Sequence, residues 1–177
     1  MAFPMSREEL PDYLRPGLDL ILVGINPGLR SAELGHHFAG RNNRFWQLLH
    51  ESGLTPRRLT YDQDASLPDL GIGITNVAAR PTRSSSDLKK EDFDRGRRSL
   101  ARKIARFRPA YVGFVGLTAY REFQGGRGRV HCGFQENPIE GAEVFVLPNP
   151  SGRNAHYSYA EMLRSWRELA RSLKRDA

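Results

Sequence analysis

Continuous apolar runs alternate along this chain with segments whose apolar residues return every three or four positions. Leu20-Ile21-Leu22-Val23, framed by Asp19 and by the turn residues after Ile25, has the pattern of a strand buried on both faces of a parallel sheet. Phe45, Leu48 and Leu49 fall at i, i+3 and i+4, which predicts a helix over Asn43 to Ser52 with Asn42 or Asn43 as N-cap and Gly53 just past its end. Leu59 to Leu70 shows no convincing period. Gly71 to Asn76 reads as a short strand and Ala79 to Asp87 as a polar loop. A long helix is predicted from about Lys89 to Phe107, where Phe93, Leu100, Ile104 and Phe107 share one face and Pro109 prevents continuation. Tyr111 to Gly116 and Glu143 to Leu147 are further buried strands. Between them lie a short helix, Thr118 to Phe123, and a Gly-rich, partly extended connection, Gly125 to Pro138. Tyr159, Met162, Leu163, Trp166, Leu169, Ala170 and Leu173 keep helical spacing over Ser158 to Lys174.

This alternation predicts an α/β fold: a mostly parallel sheet with helices on both faces, whose ligands bind outside the carboxyl ends of the strands. With 177 residues the chain fits one domain better than two, and residues 1–17 are expected to be a peripheral N-terminal segment.

Charge changes the picture of the partner. Lys and Arg number 27 against 20 Asp and Glu, a net charge of +7 that favours a polyanion. The arginines between Arg95 and Arg108 read first as a solvated helix face, with long-range attraction to phosphates as a secondary effect. Cys132 is the only cysteine, so no internal disulfide and no Cys-x-x-Cys metal site can form, and no cofactor or metal is expected. The apolar runs are far shorter than the roughly 20 residues of a membrane span, and Met1 to Leu10 has no apolar signal region. The chain is therefore expected to be intracellular and to have no membrane partner.

Two loops leave the carboxyl ends of the strongest strands: Gly24-Ile25-Asn26-Pro27-Gly28 and Leu147-Pro148-Asn149-Pro150-Ser151-Gly152. Each combines rigid turn residues with an amide side chain. Neither has the Lys and Ser/Thr of a phosphate-binding loop or the G-x-G-x-x-G of a dinucleotide site.

These two motifs, with Gly35-His36-His37-Phe38, Asn43-Arg44-Phe45-Trp46 and Gly71-Ile72-Gly73-Ile74-Thr75-Asn76 between them, resemble the mismatch-specific uracil and thymine DNA glycosylases of the uracil-DNA glycosylase superfamily. The resemblance spans Asp19 to Ala170. It implies a three-layer α/β/α domain with a short, mostly parallel sheet. The implied activity is removal of uracil, or of thymine or a modified cytosine, from a mispair with guanine in double-stranded DNA by hydrolysis of the N-glycosidic bond. It implies a monomer, and the shortness of the chain suggests a bacterial cytoplasm, with nucleoid association through DNA binding. Asn26 matches the amide that positions the hydrolytic water, and Phe38 the aromatic on which the extruded base stacks. Ile25, Gly28, Ser31 and His37 would line the base pocket. Asn149, Pro150, Ser151, Gly152 and Arg153 match the loop that enters the duplex. Where bacterial relatives offer a Leu wedge followed by Arg, this chain has Arg153 and then Ala155. At the Gly28 position the uracil-specific branch resembles a Tyr that blocks the C5 side of the base. Glycine leaves room there, although it could equally serve the turn after Pro27.

The chemistry follows from these residue types. A base inside a duplex must be unstacked before it can be cut, and mispairs unstack at lower cost. Asn can orient a water but cannot deprotonate it, so bond cleavage must lead and turnover should be slow. Asp87 is expected either to cap the helix after Leu88 or to assist the water as a carboxylate. His36 and His37 read as pocket lining rather than metal ligands, and Cys132 as inert. Two rival readings stand beside the glycosylase: a catalytically weak lesion-binding protein using the same pocket, and an unrelated small-molecule enzyme on a doubly wound sheet.

Overall fold

The computed structural model describes residues 9–176. Four strands lie parallel: β1 (Leu20–Gly24), β2 (Ile72–Asn76), β3 (Tyr111–Val115) and β5 (Glu143–Leu147). The two-residue β4 (Gly133–Phe134) joins antiparallel to β5, giving the order β2-β1-β3-β5-β4. Register places Gly24 opposite Asn76, so these two strands end together at the carboxyl edge.

Every residue of β1 is buried, which is why its sequence is apolar without alternation. Successive side chains nonetheless face opposite layers. Leu20 and Leu22 pack with Phe45 and Trp46 of α2 (Phe45–Glu51) and with Met162, Trp166 and Leu169 of α5 (Tyr159–Arg175). Ile21 and Val23 pack with Leu100 and Ile104 of α3 (Lys90–Phe107) and with Ala119 and Tyr120 of α4 (Leu117–Phe123). The result is the expected three-layer α/β/α arrangement. Phe45 and Trp166 are fully buried and meet edge to face at 5.6 Å, so truncating Phe45 to Ala should cost about 3–5 kcal/mol.

The termini of these helices follow local chemistry. Asn43 Oδ1 accepts the Phe45 N–H at 2.9 Å, so Asn43 serves the start of α2 from one position before the N-cap, Arg44. Asp92, not Asp87, serves the start of α3, accepting the Lys89 N–H at 2.8 Å. Two elements escaped the periodicity. Six-residue α1 (Leu29–Leu34) buries only Ser31 and so shows no apolar stripe. Tyr61–Leu70 is 3₁₀ helix, started by reciprocal Thr60–Gln63 capping and containing Pro68; its tighter winding gives no 3.6-residue repeat to detect.

Residues 9–17, exposed or half-buried, lie along the edge of the sheet and are tied to it; residues 1–8 lie outside the described residues. Tyr13 exchanges two backbone hydrogen bonds with Ile74 at 3.1 Å, extending the sheet past β2. Asp12 accepts from the Thr75 hydroxyl at 2.6 Å and pairs with Lys103 at 2.5 Å. A buried polar strand residue and a cation recruit this segment, signals that an apolar-pattern reading does not register. Among the described residues no helix is long and apolar enough to cross a membrane.

Candidate active site

Beyond the carboxyl ends of β1 and β2 the two chains continue side by side. Val77 N–H donates to Gly24 O at 2.8 Å, Ala78 N–H to Ile25 O at 2.9 Å, and Thr82 N–H to Pro27 O at 3.1 Å. This brings Asn26 against residues 80 to 82. Its Nδ2 donates to Arg80 O at 2.9 Å and to Thr82 Oγ1 at 2.8 Å. A backbone carbonyl only accepts, so the amide nitrogen must face Arg80, and the orientation of the side chain is fixed. Thr82 Oγ1 in turn donates to Ser84 O at 2.7 Å. Both amide hydrogens are thereby committed, and Oδ1, with no donor among the described residues, is left to the cavity that Asn26 lines.

That cavity has a volume of about 310 Å³, at the small end of the range for ligand sites. Of the residues singled out from sequence, Ile25, Asn26, Gly28, Ser31, His37, Phe38, Asn149 and Ser151 line it. Phe38 is half-buried, with its ring stacked 4.0 Å from that of Phe45. Its backbone is left-handed, φ 51°, a conformation that costs a bulky residue free energy and that aims the ring over the end of β1. Gly24 permits this approach: a Cβ there would lie 3.2 Å from Phe38 Cζ and 2.5 Å from Asn76 Oδ1. Gly28 has φ −73° and ψ 165°, which any residue adopts, and open space where a Cβ would stand. The turn does not require glycine at position 28; the space beside it is what the residue preserves.

A buried polar cluster holds the Phe38 loop. Asp64, fully buried, accepts the His37 N–H at 2.8 Å and pairs with His36 Nδ1 at 2.9 Å. His37 Nε2 lies 2.8 Å from Pro11 O, which fixes the proton on that nitrogen. Burial pushes the His37 imidazole below the ordinary histidine range, outweighing the opposing pull of the Pro11 carbonyl and of Asp64, and keeps it neutral. Ser31 Oγ accepts the Ala39 N–H at 3.0 Å, closing the same loop.

The segment after β5 is pinned to the residues before α2. Arg44 N–H donates to Pro150 O and Gly152 N–H to Asn42 O, both at 2.9 Å, and a Cβ on Gly152 would meet Asn42 O at 2.7 Å. Asn149 Oδ1 accepts Ser151 N–H at 2.9 Å, and Asn154 Nδ2 returns to Asn149 O at 3.0 Å. Pro150 is buried, so it anchors the loop and does not project. Arg153 is exposed and lines a second, wider cleft of about 630 Å³ with Asn154, His156 and Tyr157; Asn149 and Ser151 form the wall between the two.

Asp87 is absent from the cavity wall. Its carboxylate accepts the Ser84 N–H at 3.2 Å and so caps the 3₁₀ turn Ser85–Asp87 rather than α3. Sequence reasoning gave no role to Asn76 and Thr82 and only an N-cap role to Asn43, all of which also line the cavity. Asn76 carried a readable signal, an amide ending an apolar strand at the carboxyl edge. Thr82 carried none, because its contact depends on the pairing of 24–28 with 77–82. Among the described residues no carboxylate lines the cavity, and no three His, Cys, Asp or Glu side chains gather as metal ligands.

A three-layer α/β/α domain with a rigid amide and a stacked aromatic at the carboxyl edge of parallel strands defines a class of pocket suited to a planar, polar-edged ligand. Comparison with known proteins makes the assignment specific. The family model of the uracil DNA glycosylase superfamily matches residues 11–170, and the chain belongs to that superfamily. Its general function is that of a DNA repair glycosylase, a hydrolase of N-glycosyl bonds that binds DNA. A solution NMR structure of a candidate uracil DNA glycosylase from Methanosarcina acetivorans shares the fold, with TM-score 0.64 and 21% identity over 95% of this chain and 98% of that one.

Proposed function

We propose that the protein flips uracil, and with it thymine or modified cytosine, out of mispairs with guanine in double-stranded DNA and hydrolyses the glycosidic bond as a monomer in a bacterial cytoplasm. The observation that carries this reading is Asn26, whose two amide hydrogens are consumed by Arg80 O and Thr82 Oγ1 so that Oδ1 alone meets the cavity. Oδ1 accepts one hydrogen of a water and aims its oxygen at C1′. The bond from C1′ to the base nitrogen breaks first, and its electron pair leaves with the base as an anion. The water oxygen then bonds to C1′ and sheds its proton to solvent, giving an abasic site. Among the described residues no carboxylate lines the wall to act as a base, which favours slow turnover.

Phe38 offers the face opposite Phe45 to the flipped base. Asn76, whose amide presents a donor and an acceptor together, suits the carbonyl and N–H edge of a pyrimidine. Open space at Gly28 accommodates a C5 methyl or an added ring. Exposed Arg83 at the rim, Arg153, and Arg127 and Arg129 in the glycine-framed loop before β4 supply charge for phosphates.

The test is abasic-site formation on a labelled duplex with one G·U mispair, read by alkaline cleavage. Excision should be measurable, and Asn26→Ala should slow the single-turnover rate by about 10²-fold, roughly 3 kcal/mol, with little change in duplex affinity. Tight binding without cleavage by the parent would favour the lesion-binding reading instead.

A further inference from the structure

Arg80 joins the site through its carbonyl, while its side chain is engaged elsewhere. The guanidinium meets Asp92 with Nε 3.1 Å from both carboxylate oxygens and Nη2 2.7 Å from Oδ2, and Nη2 also donates to Asp87 O at 2.9 Å. Asp92 is itself fixed, because its Oδ2 accepts the Lys89 N–H that starts α3. The Arg80 guanidinium holds the Asp92 carboxyl down at about 2, so the pair is charged throughout the working pH range.

Residues 79 and 80 have little else to hold them. Both are exposed, and beneath them runs a cleft of about 370 Å³ bounded by Asn76, Asp92, Gly96 and Lys103. Just upstream the chain is seated tightly: a Cβ on Gly96 would fall 1.9 Å from Val77 O, so α3 touches the backbone of this segment directly. Downstream, Thr82 is tied to Pro27. Between those anchors the residue whose carbonyl orients Asn26 is held through its guanidinium, by the ion pair with Asp92 and the hydrogen bond to Asp87 O.

We propose that Arg80 is a positioning residue for excision: its guanidinium, clamped to Asp92 at the start of α3, fixes the carbonyl that turns the Asn26 amide toward the water. This rests on the reading of Asn26 given above. A partly exposed ion pair contributes little to global stability, whereas a small displacement of a group that orients a reactant is costly in rate. The clamp therefore acts on chemistry more than on folding.

The experiment compares Arg80→Ala, Arg80→Lys and Asp92→Asn with the parent and with Asn26→Ala. It measures single-turnover excision at saturating enzyme on G·U duplex, duplex affinity, and melting. Asp92→Asn retains an acceptor for the Lys89 N–H, so it spares the start of α3. Arg80→Ala and Asp92→Asn should each slow excision by about 10-fold, with affinity and melting nearly unchanged. Arg80→Lys should recover part of the loss, and adding Arg80→Ala to Asn26→Ala should cost nothing more. Three results overturn the clamp: parental excision by both variants, a full additional loss on the Asn26→Ala background, or a loss confined to Arg80→Ala and to affinity, which would make Arg80 a phosphate contact. An Asn26→Ala protein as fast as the parent would instead overturn the underlying reading of Asn26.

Discussion

The ring of Phe38 lies on that of Phe45 with their planes 9° from parallel, in a backbone conformation that phenylalanine does not adopt without cost. One face of Phe38 is therefore covered by the core, and the strain sets the other at the cavity. Replacing Phe38 with Ala should weaken capture of the flipped base by about 1–3 kcal/mol, the range for aromatic stacking on a base. Fluorescence of a reporter base beside the mispair would show less extrusion, while affinity for a matched duplex stays constant. Unchanged extrusion and excision would make Phe38 a core residue only.

Gly28 sits in ordinary extended geometry with open space beside it, so a side chain is tolerated by the backbone. Gly28→Tyr should fold with a melting temperature close to the parent's and retain measurable uracil excision, while excision of thymine or exocyclic cytosine adducts is lost. A folded variant that still removed the larger bases would show that access is controlled elsewhere on the wall.

Arg153 projects from a loop locked to Asn42 and Arg44, and guanidinium can both stack and donate hydrogen bonds. Under the proposed function it is the side chain that fills the gap left by flipping. Arg153→Ala should reduce excision from a G·U duplex by about 10-fold or more and from single-stranded uracil DNA much less, since no gap opens there. Equal losses on both substrates would assign Arg153 to phosphate binding alone.

His37 is neutral in the fold because burial lowers its affinity for a proton, whereas in the unfolded chain it titrates near the ordinary value of about 6.5. Below that pH the unfolded state binds the extra proton, so this contribution to stability is full above about pH 6.5 and declines as pH falls toward the folded-state value. His37→Gln, which retains a donor for Pro11 O, should flatten the fall in melting temperature between about pH 8 and pH 5. An unaltered pH profile would place the titration at another histidine.

Much of the sheet was legible because burial on both faces leaves unbroken apolar runs, and of the four α-helices legible in the sequence three were so because packing on one face leaves a 3.6-residue stripe. What failed lacked those signatures. The α1 helix buries a serine, the Tyr61–Leu70 segment winds more tightly than the template, and the Tyr13 contact with β2 is made by backbone and polar groups. In the site, Asn26 and Phe38 stood out through their motifs. The residues that orient Asn26 did not, because Thr82 and Arg80 reach it only when two chain segments far apart in sequence run side by side. Asp87 was misassigned because a carboxylate ahead of a helix resembles a cap, and the true partner of the Lys89 N–H lies three residues inside it.

The cross-links between residues 42–44 and 150–152 make the cavity wall and the projecting loop one stiff piece before any DNA arrives. A stiff probe has little of its own conformation to lose on contact, so the deformation must come from the duplex. Under the proposed function, the energy that separates one base pair from another is then the stacking and pairing energy of the DNA itself, and a weak pair yields where a strong one does not. Selectivity of that proposed kind is a mechanical measurement of the helix, registered only where the helix gives way.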